Sequence, residues 1–508
     1  MKRIVIIGGG ISGLATALHL KDRASEAPGG LQVTVLEASD DPGGNIRTKR
    51  KEGFIIERGP NGYLDNVPAT GALVRRLGLE GKLQKADEAA ARRFLYRDGR
   101  LHRLPEGPVS FLFSPVLSVP GRLRVLGEPF ARSAPEGEDE TIFDFAARRI
   151  GEEAASVLID AMVSGVFAGN VRELSLASSF PKMAAMEKEH GGLVRAMLAR
   201  MKGRRRAKRE VAARGARGED VEELTQPGGP AGPGGTLTSF REGMDTLPRA
   251  LARELGDVVR CGVEVVAVER GSPSGSSAVA GAAEAMLAPG EGTGPEGRGP
   301  WVVRLADGGV LSADAVLMAV PAPRAVPILE SLDERLAGPV GEIPTAPLTV
   351  VALAYDADAM GGAPHGFGFL VPRGTGPRTL GCLWDSSIFP GRAPEGKVLL
   401  RAMIGGAHDP EANALSDEEL ERIVRRDLNT IMGLSAEPLF VREYRWRLGI
   451  GQYTVGHRAR LDRIHAALAR NPGLWVAGSS FYGISMNACI EKAEVQAEEI
   501  FSYLSSPA

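Results

Sequence analysis

The sequence predicts an α/β fold that opens on a nucleotide-binding unit, and three observations carry that reading. The apolar run Ile4 to Ile7 leads directly into GGGISG, with Gly8, Gly10 and Gly13; Ile11, Leu14, Ala15 and Leu18 then recur at helical spacing; and a second apolar run, Gln32 to Leu36, ends at Glu37. Strand, glycine turn, helix, strand and acid follow in the order of a Rossmann-like dinucleotide cradle. In such a unit the first glycine allows the tight turn, the second lets backbone approach a pyrophosphate, and the third lets the helix pack close to the strand. The helix N-terminus offers free N–H groups and the positive end of its dipole to the phosphates, and Glu37 is placed to grip a ribose. A second glycine string, Gly292, Gly294 and Gly297, lies in the low-complexity stretch 271–300 with Pro295 and no apolar run before it, and reads as a flexible insertion.

Length and composition set the frame. A chain of 508 residues, 43% hydrophobic and 24% charged, has ample material for two or three domains. A net charge of −2 excludes a general attraction to nucleic acid. The first strand begins at the second residue, so no signal peptide is expected, and no uncharged apolar stretch is long enough for a bilayer-spanning helix. Cys261, Cys382 and Cys489 are widely scattered, which fits reduced thiols in a cytoplasmic setting and offers no metal-binding spacing.

Along the chain, residues 1–85, 236–325 and 440–508 read as one discontinuous nucleotide-binding domain. After the opening unit, residues 86–201 read mostly as helix, with Thr141 to Met162 and Glu187 to Met201 as helical stretches. Within them VSFLFSPVLSV, Val109 to Val119, is apolar and uncharged; a buried loop or short helix and a surface that dips into a lipid headgroup layer are both open. Residues 202–235 combine a basic run with a Pro/Gly tract and read as a solvated linker. The strand-like runs Leu348 to Tyr355, Gly366 to Val371, Thr379 to Trp384 and Val398 to Ile404 place a mixed sheet that covers a substrate in 326–439. Leu474 to Ala477 then returns as a buried strand, followed by a glycine-flanked loop and a helix with Ala493, Ala497, Ile500, Phe501 and Leu504 on one face.

Glycines alone do not separate NAD from FAD. DPGGNIRT, with Gly43, Gly44, Arg47 and Thr48, and ERGPNG, with Gly59 and Pro60, resemble the superfamily of flavin-containing amine oxidases, phytoene desaturases and protoporphyrinogen oxidases. Val163 to Pro181, Ser386 to Gly406, Gly451 to His457 and Gly478 to Ile490 resemble its protoporphyrinogen oxidase branch, and these strings span nearly the whole chain.

The resemblance implies a Rossmann-like FAD-binding domain, a mixed-sheet substrate domain and a helical domain facing a membrane. It implies FAD contacts from Gly8, Gly9, Gly10, Ile11, Ser12 and Gly13, from Glu37 and Ala38, from Gly43, Gly44, Asn45 and Arg47, from Gly59, Pro60, Asn61 and Gly62, from Val265, and from Gly478, Ser479, Ile484, Ser485 and Met486. The last three precede the final helix, whose amides would face the flavin pyrimidine and favour its reduced anion; capping by Ser485 or Asn487 is compatible with that role. For the substrate the resemblance implies Gly169, with backbone against a pyrrole, and a clamp of Leu370 and Phe389. Gly169 also reads as a helix C-cap, and Phe389 as core.

Where some relatives carry an arginine after the GPNG turn, this chain has Tyr63, Leu64, Asp65 and Asn66, which leaves Arg172 or Arg373 to meet a propionate. No acid or base residue stands out. The expected reaction is FAD-dependent oxidation of protoporphyrinogen IX by molecular oxygen, with coproporphyrinogen III as the alternative substrate. An amine oxidase and a non-enzymatic binding protein on the same fold are the remaining readings. A homodimer peripheral on a membrane is expected from the resemblance, and a cytoplasmic location from the scattered cysteines.

Overall fold

In the computed structural model, residues 1–506 are described except 28, 134, 136, 200–201, 203–234 and 272–299. Nearly all of the basic linker, and the insertion with its second glycine string, therefore lie outside the described residues.

A five-stranded parallel sheet carries the nucleotide-binding region, in the order Val259–Cys261, Leu31–Glu37, Lys2–Ile7, Ala315–Met318 and Leu474–Val476. Successive side chains of a strand point to opposite faces, and both faces here are covered. Ile4 and Ile6 pack with the opening helix Ile11–Asp22, the Thr246–Leu255 helix and the terminal helix Met486–Ser505. Val5 and Ile7 pack on the other side with the helices Ala322–Leu329, Glu334–Gly341 and His457–Ala469. Burial on both faces explains why Ile4 to Ile7, Ala315–Met318 and Leu474–Val476 read as unbroken apolar runs, whereas Leu31–Glu37 alternates through Gln32 and Thr34. The strands Val265–Arg270, Trp301–Leu305 and Val310–Ala313 add an antiparallel meander.

The second large sheet has seven strands, in the order Phe440–Gly451, Thr345–Asp356, Lys397–Gly405, Thr379–Leu383, Gly368–Leu370, Arg93–Arg97 and Arg100–Arg103. All pairings are antiparallel except that of Gly368–Leu370 with Arg93–Arg97. Val398, Leu400, Ala402 and Ile404 pack beneath the helix Asp417–Met432, which a Ser416–Glu419 capping box starts. Leu399 on the opposite face packs against Phe54 and Ile56 of the Thr48–Lys51 and Phe54–Glu57 hairpin.

These pairings move three expected boundaries. Residues 440–451 form an edge of the seven-stranded sheet instead of belonging to the nucleotide domain. Residues 93–103, expected within a helical region, supply its opposite edge. The helices between 322 and 341, expected from 326 onward with the substrate sheet, bury their apolar faces on the nucleotide sheet.

The helical layer centres on Ile142–Ile150 and Asp160–Phe167, joined through a break at Gly151, φ 92°, and a π-turn at Ala155–Ile159, so the helix expected over 141–162 is not continuous. The apolar run 109–119 is divided. Val116 and Leu117 are buried, whereas Val109, Phe113 and Val119, with Leu123, Leu126 and Phe130 beyond, face outward. Among the described residues no helix is long and apolar enough to cross a membrane.

Candidate functional site: a flavin cradle and an apolar strip

The opening strand ends at Gly8, whose φ of +110° is open to glycine but rarely to other residues. A Cβ on Gly13 would stand 2.1 Å from the Gly8 carbonyl oxygen, and one on Gly8 would stand 2.6 Å from that of Ala319. The helix starts at Ile11 with Gly10 as N-cap and no side-chain cap, leaving its first-turn amides for a ligand. Glu37 closes the turn from the second strand: Oε2 accepts the Gly9 N–H at 2.8 Å and Oε1 accepts the Ser39 N–H at 2.9 Å. Oε1 also accepts the Ser39 hydroxyl, which leaves one of a carboxylate's roughly four lone pairs to accept a ribose hydroxyl. Ala38 beside it is exposed.

The diglycine segment meets this turn backbone to backbone. Gly43 N–H donates to Gly9 O at 2.8 Å, and a Cβ on Gly44 would lie 3.2 Å from the Gly10 Cα. Arg47 closes the loop by donating from Nε to Gly44 O at 3.0 Å and from Nη2 to Asp41 O at 2.8 Å. A Cβ on Gly59 would fall 2.0 Å from Asn45 O, so the GPNG turn is pressed onto the same wall. Pro60 leads into Asn61, which is buried with both amide atoms unpartnered. A buried amide left without partners is costly and unusual; in this position it fits a bound polar ring. Gly62 lies over the Phe389 ring and the Thr238 carbonyl.

Elsewhere on the cradle, Val263 N–H donates to Glu37 O at 2.9 Å, which brings the Val265 strand beside the acid, while the Val265 side chain itself is core. Ser12 hydrogen-bonds Cys489 in the terminal helix, joining the first turns of the opening and closing helices. Ser485 caps the latter by accepting Ala488 N–H at 3.1 Å, Met486 is buried beneath it, and Ile484 leans on the helical layer. Gly478, φ +105°, and Ser479 begin the loop that precedes them.

The substrate-side expectations fare unevenly. Leu370 lies half-buried against the helix Asp160–Phe167: a Cβ on Gly165 would come 2.6 Å from its Cδ2, and one on Gly381 3.2 Å. Met403 is the cross-strand partner of Gly381 and shares its face, so Leu370, Gly381 and Met403 make an apolar strip facing that helix. Phe389, expected to clamp a ring, has no exposed surface; it is packed with Ala90 and Ile388 under the GPNG turn, as a wedge and not a clamp. Gly169, expected to meet substrate through bare backbone, has its missing side chain's space filled by Gln452 and Leu174. The left-handed cap of the preceding helix is Ala168, φ 47°, and not Gly169. Arg172 is exposed and stacked 3.4 Å over the Phe143 ring. Arg373 is paired with buried Asp160 and donates to His408 Nδ1 at 2.9 Å.

Charges within apolar runs were missed by sequence reading. Arg401 lies within the Lys397–Gly405 strand on the face of Leu399 and Met403; it donates Nε to Asp385 at 2.9 Å and Nη1 to Gly59 O at 2.6 Å. Arg392 pairs with Glu57 at 3.0 Å and donates to Ser239 Oγ at 2.6 Å. Burial pushes the Glu57 and Asp385 carboxyls up, and the facing guanidiniums pull them back. Their signal was an arginine inside LLRAMIGG and an aspartate beside a tryptophan in LWDSSIF.

Together the glycine-walled slot, the uncapped helix amides and the ribose-side acid define a dinucleotide-binding protein. The model of the "flavin containing amine oxidoreductase" family matches residues 11–501. The chain belongs to that family and is an FAD-dependent oxidase. It is 33% identical to human protoporphyrinogen oxidase, with 98% of each chain covered, and 29% identical to the coproporphyrinogen III oxidase of Bacillus subtilis (strain 168), with 99% of each covered. A solved structure from Exiguobacterium sp. 255-15, provisionally assigned as a protoporphyrinogen oxidase, superposes with a TM-score of 0.77 at 26% identity over 99% of both chains. Putrescine oxidase, at 15% identity and a TM-score of 0.67 over 99% of both chains, shares the fold.

Proposed function

We propose that the protein oxidises protoporphyrinogen IX to protoporphyrin IX, removing six electrons and six protons in three rounds, each returning one molecule of oxygen as hydrogen peroxide. The observation that carries this reading is full-length similarity to protoporphyrinogen oxidases, at 33% identity to the human protein. FAD, when bound, supplies the hydride acceptor. The protein's own groups hold and orient. The Gly8–Gly13 turn and Glu37 fix the nucleotide, the Gly59 turn presents the Asn61 amide, and the strip of Leu370, Gly381 and Met403 offers an apolar bed for a bulky macrocycle. No general base is assigned.

Coproporphyrinogen III is the second reading, supported by the Bacillus relative. Anaerobic mixing with each porphyrinogen, followed by flavin bleaching, tests both. Faster bleaching by protoporphyrinogen IX is expected; equal or faster bleaching by coproporphyrinogen III makes that the substrate, and no bleaching by either removes the proposal.

The proposal extends to a peripheral position on a membrane, on its cytoplasmic side. The outward row of Val109, Phe113, Val119, Leu123 and Phe130, with Arg122 and Arg132 nearby, supports it, because apolar side chains beside cations suit an anionic headgroup layer. A homodimer is proposed on the resemblance alone, and sedimentation equilibrium tests it.

A further inference from the structure

We infer that Tyr453 is a positioning residue that fixes the loop leading into the terminal helix, and so sets where that helix's first turn stands against the flavin.

Residues 479–482 run between two glycines in the left-handed half of backbone space, Gly478 at φ +105° and Gly483 at φ +127°. Phe481 N–H donates to Gly478 O at 3.1 Å and the Phe481 side chain is core, which turns the loop but leaves its two glycine ends to be held by other contacts. One hydroxyl spans it. Tyr453, only 3% exposed, donates from its hydroxyl to Ser479 O at 2.6 Å and accepts the Gly483 N–H at 2.6 Å. Its ring stacks on His457 at 4.2 Å between centroids, and His457 Nε2 reaches Phe481 O at 3.3 Å. Ser480 Oγ accepts the Ala322 N–H at 3.0 Å. Burial pushes the Tyr453 hydroxyl up from its ordinary range, so it keeps the proton it donates.

The clamp is fastened to the helical layer. Tyr453 O accepts the Ser175 N–H at 2.8 Å and Val455 N–H donates to Glu173 O at 2.8 Å, around a bridge between Leu174 and Thr454. Gln452 Nε2 donates to Phe167 O at 2.9 Å. The loop at the flavin end of the terminal helix is thereby indexed to the segment that borders the apolar strip. A phenylalanine at 453 would keep the stack and remove both hydroxyl bonds, leaving the half-buried Ser479 carbonyl and Gly483 amide without this partner.

The inference rests on FAD as the cofactor and not on the substrate; a flavin-loaded protein that bleaches with neither porphyrinogen would remove the proposed reaction and leave this test intact. The test compares FAD-loaded wild type with Tyr453→Phe and, as control, with Tyr355→Phe, a buried tyrosine in the seven-stranded sheet. In Tyr453→Phe, amide exchange in a peptide covering 478–486 is expected to rise at least roughly tenfold, and the ratio of affinities for oxidised and reduced flavin to change roughly tenfold, about 30 mV in midpoint potential for a two-electron couple. Tyr355→Phe is expected to leave both unchanged. Should Tyr453→Phe lower thermal stability alone, with loop exchange and potential those of wild type, Tyr453 is merely structural and the inference falls. If that variant does not accumulate, His457→Phe, which keeps a stacked ring and loses the Phe481 contact, takes its place: faster loop exchange supports the inference and unchanged exchange overturns it.

Discussion

Arg401 and Gly59 stand far apart in the chain, yet the Arg401 guanidinium holds the Gly59 carbonyl oxygen at 2.6 Å. That bond joins the seven-stranded sheet to the turn that carries the unpartnered Asn61 amide. Removing Arg401 would leave the Asp385 carboxylate without its ion-pair partner in a fully buried position. Arg401→Met is expected to cost about 3–5 kcal/mol in denaturant unfolding of the FAD-loaded protein, and Arg401→Met with Asp385→Leu distinctly less. A double-variant cost equal to the sum of the costs of Arg401→Met and Asp385→Leu measured singly would mean that the pair is not coupled.

The glycine wall makes a sharper demand. Gly13→Ala and Gly59→Ala each place a Cβ within about 2 Å of a carbonyl oxygen, closer than any real contact. Each variant is expected to purify without the flavin absorption bands and to fail to regain them on incubation with FAD. Bands of wild-type intensity would contradict the assigned cradle.

His457 gives a pH dependence of defined sign. Burial pushes its imidazole down to about 4 from the ordinary 6.5. Because the folded form resists protonation, its contribution is complete above pH 6.5 and is lost as pH falls from 6.5 toward 4, on the order of 3 kcal/mol in all. Unfolding free energies measured across that window should fall for wild type and fall less for His457→Gln. Parallel slopes in the two proteins would assign the acid sensitivity elsewhere.

Leu370, on the strip, packs directly against Gly165 of the facing helix. Gly165→Ala would push the Leu370 side chain into the strip, and is expected to raise KM for the porphyrinogen roughly tenfold, about 1.4 kcal/mol, with the flavin spectrum unchanged. Steady-state assays with the better porphyrinogen check this, and an unchanged KM would place the macrocycle elsewhere.

Phe113 and Phe130 are 82% and 89% exposed. Serine at both positions is expected to weaken binding to vesicles containing anionic lipid by roughly tenfold or more, because the buried apolar area is the main attraction. Co-sedimentation of wild type and variant with the same vesicles decides; equal binding would leave the row without a lipid role.

The cradle was legible in the sequence because its constraints are local. Glycines at 8, 10 and 13 and the acid at 37 serve a turn that is nearly the same wherever it occurs. What stayed hidden depends on partners far along the chain. The edge strand 440–451 reads no differently from a strand of the parallel sheet, since pattern reports burial and not which sheet provides it. Phe389 could be core or clamp by composition, and only its place beneath Gly62 decides for core. Gly169 reads as bare backbone for a pyrrole or as a helix C-cap, whereas Gln452 and Leu174 fill the space beside it, which no local motif announces.

The nucleotide sheet is assembled from strands at residues 2–7, 315–318 and 474–476, and the helix that flanks its opening helix is the last in the described chain. A nascent polypeptide cannot close that sheet until its final strand has left the ribosome. The early strands must wait, with sticky apolar faces, while several hundred residues are translated, and such distant pairings are slow to form. The nucleotide sheet is therefore complete only once residues 474–476 have paired with 316–318.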